Sequence, residues 1–450
     1  MTHKLLIANR GEIALRIQRA CRKLGIPHVQ ACSQADQEAR YVREADQSIC
    51  IGPARARDSY LNIPALVYAA RATGADMIHP GYGFLSENAD FAAAIEAEGL
   101  IFVGPPASAI LAMGNKVRAR QAMIAAGVPC IPGSPGPLPP DAGEIRRIAQ
   151  GIGYPVIVKA SGGGGGRGMR VVATEVELDD AVALTREEAR TAFGNPELYM
   201  ERYLTTPRHV ELQVLCDGQG NGVHLGDRDC SMQRRHQKVI EEAPAPGVPR
   251  ALIERVAARC LDACKAMGYR GAGTFEFLYE NDELFFIEMN TRLQVEHPVT
   301  EMVTGVDIVE AQLRIAMGEP LGLTQADVGF SGHAIECRIN AEDPATMLPS
   351  PGRVSEWQPP AGEGLRVDTH LHEGYEVPPH YDSLVAKLIA HGPDRATAIA
   401  RMEAALAATR VAGIATNIPL QARLMRDAAF RAGGAGINYL ETKMKAEAGA

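Results

Sequence analysis

The sequence predicts a mixed chain: an α/β unit on a parallel sheet at the amino end, a small inserted domain, and a larger mixed α+β domain with several hairpins. Three observations predict it. Short apolar runs alternate with helix-like stretches from Lys4 to Val103. A strand, a glycine run and a second strand follow a proline-dense connector. Gly273–Thr300 alternates apolar and polar residues on both sides of a turn.

The amino-terminal elements read in order. Lys4–Ala8 is an apolar strand, Asn9–Glu12 a turn, and Ile13–Lys23 has helical spacing. His28–Cys32, Met77–His79 and Leu100–Val103 are the next strands. In such sheets ligands gather at the carboxyl ends of the strands. Six prolines between Val128 and Pro140 make a connector that continues neither helix nor central strand. Strands Tyr154–Ala160 and Met169–Val172 then place Pro129–Tyr203 as the inserted domain, with the larger domain from about Leu204 onward.

Composition narrows the function. The 450 residues are 46% hydrophobic and 22% charged, with a net charge of −8, which argues against a nucleic-acid binder. Phe91–Val103 is interrupted by Glu96, Glu98 and Gly99, so no membrane span is expected. The first apolar run is too short for a signal peptide, and a cytoplasmic protein is the expectation. Nine scattered cysteines without a Cys-x-x-Cys pair suggest neither a disulfide framework nor a zinc site. Cys260 and Cys264 read as buried thiols on one face of a helix over Ala251–Met267.

The run Ser161–Gly168 contains Gly163, Gly165 and Gly168 in G-x-G-x-x-G spacing, but a strand follows where a dinucleotide fingerprint needs a helix. Strand, glycine loop, strand describes a flap whose backbone N–H groups close over a polyanion, with a disordered surface loop as the alternative. Lys159 at its root favours phosphate; Lys116 is a second candidate cation, or simply a solvated lysine.

In Gly273–Thr300 the strand period of two puts Glu276 on one face of the first strand and Glu288 and Asn290 on one face of the second. If the odd-numbered residues pack into the core, these groups converge opposite it. Two carboxylates and an amide suit Mg²⁺ or Mn²⁺; a solvated hairpin face is the alternative. The same parity continues through Arg292, Gln294 and Glu296. Tyr199–Leu204 is an apolar-polar stretch at a domain junction that could receive a purine base. Asp227–Lys238 reads as a polar loop, with Arg234 and Arg235 on its surface and Lys238 beside apolar residues.

From Lys4 to Leu440 the chain closely resembles the biotin carboxylases, ATP-grasp enzymes that form a subunit of bacterial acetyl-CoA carboxylase. The likeness is carried by His79–Asn88, Lys159–Arg170, Arg228–Lys238, Glu288–Thr300 and Gly332–Asn340. It implies an ATP-grasp fold with a Rossmann-like domain over 1–114, a lid with its linker over 115–203, a catalytic core over 204–330 and a carboxyl-terminal domain over 331–446.

The resemblance also implies roles. Lys116, Lys159, Gly165 and Gly166 would hold ATP phosphates. Glu201, Arg202, Tyr203 and Leu204 would line the adenine pocket, with His209, Gln233 and His236 completing the nucleotide site. Arg202 stands where lysine is expected. Glu276, Glu288 and Asn290 would hold two Mg²⁺ or Mn²⁺ ions. Lys238, Arg292, Gln294 and the Val295 backbone would bind bicarbonate. Arg338 would face bicarbonate and the biotin ureido oxygen. Glu296, or the phosphate released from carboxyphosphate, would be the base. Cys230 reads as packing. Another ATP-grasp ligase would share Glu276, Glu288 and Lys159 but has no reason for Glu296 with Arg338.

Biotin is normally attached at Ala-Met-Lys-Met. Thr442–Lys445, in an expected terminal helix, lacks that pattern. The expectation is therefore biotin on a separate biotin carboxyl carrier protein, with separate carboxyltransferase subunits and a homodimer. Acetyl-CoA is the expected acceptor, with propionyl-CoA and pyruvate as alternatives.

Overall fold

A computed structural model describes residues 3–162 and 168–448. The amino-terminal unit is a parallel sheet of β1 (Leu5–Ile7), β2 (His28–Cys32), β3 (Gln47–Cys50), β4 (Met77–His79) and β5 (Ile101–Phe102), in the order β3-β2-β1-β4-β5. Leu5, Leu6 and Ile7 are fully buried, as expected of a strand covered on both faces. The edge strand β3, Gln-Ser-Ile-Cys, is the one sequence reading passed over. Its side chains are largely exposed, so it carries no apolar signature. The strand order reverses between β1 and β4, and the segments leaving these two strands open towards one cavity.

The inserted unit is an antiparallel sheet of β6 (Val156–Ala160), β7 (Met169–Val172) and β8 (Leu198–Arg202), with helices Ala142–Ile152 and Leu178–Phe193. It has its own core of Val156, Val158, Val172, Leu178, Leu198 and Met200. The glycine flap expected to hold phosphate, including Gly165 and Gly166, lies outside the described residues.

The largest sheet is antiparallel and eight-stranded. It takes β9 (Arg208–Asp217), β10 (Gly222–Arg234), β11 (Gln237–Ala243), β12 (Arg270–Glu280), β13 (Glu283–Asn290), β14 (His333–Asn340) and strands Leu365–Thr369 and Leu384–Gly392. Its order is β13-β12-β9-β10-β11-β14, then Leu384–Gly392, then Leu365–Thr369. Helix Arg250–Ala266 packs Cys260 and Cys264 against it, both buried.

Two sequence readings are corrected here. Asp227–Lys238 is a hairpin rather than a loop. β10 and β11 meet at Arg235 and His236, whose φ angles of 49° and 62° make a two-residue turn without glycine. Asp227, Arg228 and Asp229 are buried because each has a partner, while Arg235 and His236 at the turn stay exposed. Arg228 donates to Glu211 at 2.5 Å, and Arg208 to Asp229 at 2.7 Å. The alternation of β13 also fails in part. Glu276 faces Glu288, but Phe277 faces Phe286, so Ile287 is an extra residue in a bulge. Phe286 therefore enters the core beside Phe275 and Phe277, while Phe285 packs with Ile131 and Leu204 on the other side.

Candidate active site

β12 and β13 turn at Asn281 and Asp282, both in the left-handed region with φ of 53° and 58°. That turn sets the register Thr274–Asn290 and Glu276–Glu288. Glu276 and Glu288 are thus direct cross-strand neighbours, with Asn290 two residues on along the same face. They open onto a cavity of about 780 Å³ at the meeting of all three units.

The structure brings most of the candidate residues to this cavity. Lys116, Lys159, Glu201, His209, Gln233 and His236 line it together with Lys238, Glu276, Glu288, Asn290, Arg292, Gln294, Val295, Glu296 and Arg338. Arg202, Tyr203 and Leu204 are not among the lining. Arg202 is exposed at the end of β8, and Leu204 is buried behind the wall with Phe285.

Lys238 is the hub. Its ammonium donates to Glu211 at 2.6 Å, Glu296 at 2.7 Å and Glu276 at 2.9 Å. Burial opposes its charge, but these three carboxylates outweigh burial and hold its pKa well above the ordinary lysine value. Glu296 is buried as well, and Lys238 and Arg338 keep its carboxyl below the usual range, so it is ionised. Burial also opposes charge on His209, yet Glu276 and Glu211 raise it to about 9.

Arg338 bridges Glu241 at 2.5 Å and Glu296 at 3.0 Å. Arg292 donates to Asn290 at 2.6 Å and to Glu87 at 2.7 Å. Gln294 donates to Glu276 at 2.8 Å and accepts from Arg228 at 2.6 Å. Lys159 donates to Glu201 at 2.5 Å, and Lys116 lies 3.7 Å from Glu288. Cys230 is fully buried, and burial pushes its thiol far above the reactive range.

The donor set of Glu276, Glu288 and Asn290 fits a hard divalent ion: two facing carboxylates and one carboxamide. Glu288 is half-exposed to the cavity, so its carboxylate is open to a ligand, while the Asn290 carboxamide oxygen accepts from Arg292 when the ion is not bound. Lysines at one end and Lys238, Arg292 and Arg338 at the other suit a polyanion beside a smaller anion.

Three residues that position this machinery went unread in the sequence: Glu211, Arg228 and Glu87. Glu211 was accessible. His209, Glu211 and Gln213 alternate with Val210, Leu212 and Val214 along β9. Glu87 reaches Arg292 from a distant loop, and no local pattern announces that.

Family models match nearly the whole chain. They are the biotin carboxylase N-terminal domain over 1–110, the carbamoyl-phosphate synthase L chain ATP-binding domain over 115–324, and the biotin carboxylase C-terminal domain over 336–442. The chain is 63% identical over 444 residues to a biotin carboxylase of Pseudomonas aeruginosa, covering 99% of each. It is 50% identical over 443 residues to a pyruvate carboxylase subunit of Methanothermobacter thermautotrophicus, covering 98% of this chain and 90% of that one. It superposes with a TM-score of 0.90 and 48% identity, over 98% of each chain, on the biotin carboxylase domain dimer of Hydrogenobacter thermophilus 2-oxoglutarate carboxylase, solved with MgADP, ADP and bicarbonate.

Proposed function

The chain belongs to the biotin carboxylase family of ATP-dependent ligases, and we propose that it carboxylates biotin held on a separate carrier protein, as the first half-reaction of an acetyl-CoA carboxylase. The observation that carries this reading is the Lys238 hub, tied to Glu296 and flanked by Arg292 and Arg338 in one cavity.

Bicarbonate sits among Lys238, Arg292, Gln294 and the Val295 N–H. Glu296, ionised beside Lys238, takes its proton. The freed oxygen attacks the γ-phosphorus of ATP, the bond to ADP breaks, and carboxyphosphate results. Such a transfer needs positioning and neutralisation of charge more than covalent help. Lys116, Lys159, His209, Gln233 and His236 orient the nucleotide, with Glu201 towards the base. Glu276, Glu288 and Asn290 would hold Mg²⁺ or Mn²⁺, which neutralises phosphate charge when bound. Carboxyphosphate then splits into CO₂ and phosphate. Glu296 already carries a proton, so the released phosphate is the base left to take the proton from the biotin ureido nitrogen. Arg338 stabilises negative charge on the ureido oxygen because it stays cationic at any working pH. The nitrogen attacks CO₂ to give carboxybiotin.

The test is ATP hydrolysis by the purified chain. We expect it to require bicarbonate, to rise with free biotin and to stop on chelation of divalent ions; a rate indifferent to both bicarbonate and biotin defeats the reading.

Acetyl-CoA as the final acceptor is supported by the higher identity to the chain named simply biotin carboxylase than to the pyruvate carboxylase relative. Co-purification with its carrier and carboxyltransferase subunits identifies the acceptor. The dimeric relative supports a homodimer, which sedimentation of the pure chain checks. No helix among the described residues is long and apolar enough to cross a membrane.

A further inference from the structure

Behind Arg338 lies a pair of carboxyl groups that the proposed mechanism does not use. Glu241 on β11 and Glu336 on β14 are direct register partners in an antiparallel pairing, so their side chains stand opposite one another on one face. Both are fully buried. One Glu241 oxygen accepts from Arg338 at 2.5 Å. The other Glu241 oxygen and both Glu336 oxygens have no donor among the described residues. Buried polar atoms of this kind are rare and require a reason.

The nearby cations do not supply one. Lys387, the register partner of Arg338 on the next strand, donates to the Val295 carbonyl at 2.7 Å and lies 3.1 Å from Glu12. Arg338 is shared between Glu241 and Glu296. Lys238 is committed to Glu211, Glu276 and Glu296. Tyr82 donates its hydroxyl to Glu12, and His297, on the helix packed over this face, bonds the Gln294 carbonyl through Nδ1. Among the described residues no donor remains for the Glu336 oxygens.

We propose that Glu241 and Glu336 share a single proton as a carboxyl–carboxylate dyad, and that this dyad is a positioning device holding Arg338 towards Glu296 and the cavity. One proton turns an unpartnered oxygen into a donor and its neighbour into an acceptor, and it removes the repulsion of two ionised groups set opposite one another. Burial favours this state at both sites: it pushes Glu241 up to about 7 despite Arg338, and Glu336 well above the carboxylate range despite Lys387. With one negative charge behind it rather than two, the guanidinium keeps its field for the ligand in the cavity. This last point rests on the role proposed for Arg338; the shared proton does not.

Infrared difference spectroscopy of the ligand-free full chain tests the dyad. We expect an un-ionised carboxyl stretch at neutral pH that shifts in D₂O, is absent in Glu336→Gln and is displaced in Glu241→Gln. If Glu336→Gln does not fold, Glu336→Asp should move the band. A wild-type spectrum without the band, or one unchanged by these substitutions, overturns the proposal. A second arm reads positioning: Glu241→Gln should lower biotin-dependent turnover at least tenfold with the KM for ATP unchanged. Parallel losses in both would mean a merely structural role and overturn the positioning claim. Should Arg338→Ala leave biotin turnover intact while the band is present, the role of Arg338 fails and the dyad stands.

Discussion

Lys387, with no solvent exposure, donates to the carbonyl of Val295 at 2.7 Å and ties the segment before Glu296 to a strand 92 residues away in sequence. Its other contact is Glu12 on the helix that follows β1. Lys387→Met would leave the Val295 carbonyl without this donor and the buried Glu12 carboxylate without its cation, with only the Tyr82 hydroxyl remaining. We expect a loss of about 3–5 kcal/mol, read from the urea unfolding midpoint. A midpoint equal to that of the parent removes this account.

Glu87 brackets the candidate bicarbonate arginine. One oxygen accepts from the Thr291 N–H at 3.1 Å and the other from Arg292 at 2.7 Å. Glu87→Ala should raise the KM for bicarbonate about tenfold, the equivalent of about 1.4 kcal/mol, and Glu87→Gln should raise it less. Steady-state kinetics at saturating ATP decides the matter.

Glu296 and Arg338 should be separable from nucleotide binding. Glu296→Ala or Arg338→Ala is expected to slow biotin carboxylation by about 10²–10⁴-fold, with ATP binding by calorimetry retained. Unimpaired turnover in either variant would strip that residue of its proposed role.

Glu242 gives a prediction outside the cavity. Burial alone would raise its pKa, but His333 at 2.7 Å and Arg395 at 2.6 Å and 3.0 Å outweigh burial and hold the carboxyl below the ordinary value. A depressed folded-state pKa contributes stability that is present above the unfolded value, about 4.3, and is lost as pH falls through the folded one. Glu242→Gln should therefore lower stability at pH 7 and flatten the acid limb below about pH 4.3. Unfolding curves across that window that run parallel to those of the parent would refute the linkage.

What sequence could reveal depended on whether the signal was local. The register of Glu276 with Glu288 follows from side-chain alternation and a turn at Asn281 and Asp282, and both are written in consecutive residues. The bulge at Ile287 is not, because an extra residue in one strand is defined only by its partner. Asp227–Lys238 misled for a related reason. Asp229, Arg228 and Ser231 look solvent-seeking until Arg208, Glu211 and the backbone of His209 are placed beside them. The edge strand β3 lacked buried residues altogether. Mixed fold and core hairpin were thus legible, whereas the ion pairs that hold the cavity walls join residues dozens to hundreds of positions apart.

The pairing of β11 with β14 has a practical consequence for anyone dissecting this chain. A fragment ending near residue 330 would strip β14 and the two strands beyond it from the eight-stranded sheet. The backbone of β11 from Ile240 to Ala243 would then present free donors and acceptors along an uncovered border, where a second fragment could add itself. Recombinant pieces cut there should accumulate as insoluble material, whereas supplying the missing segment in trans should recover soluble protein.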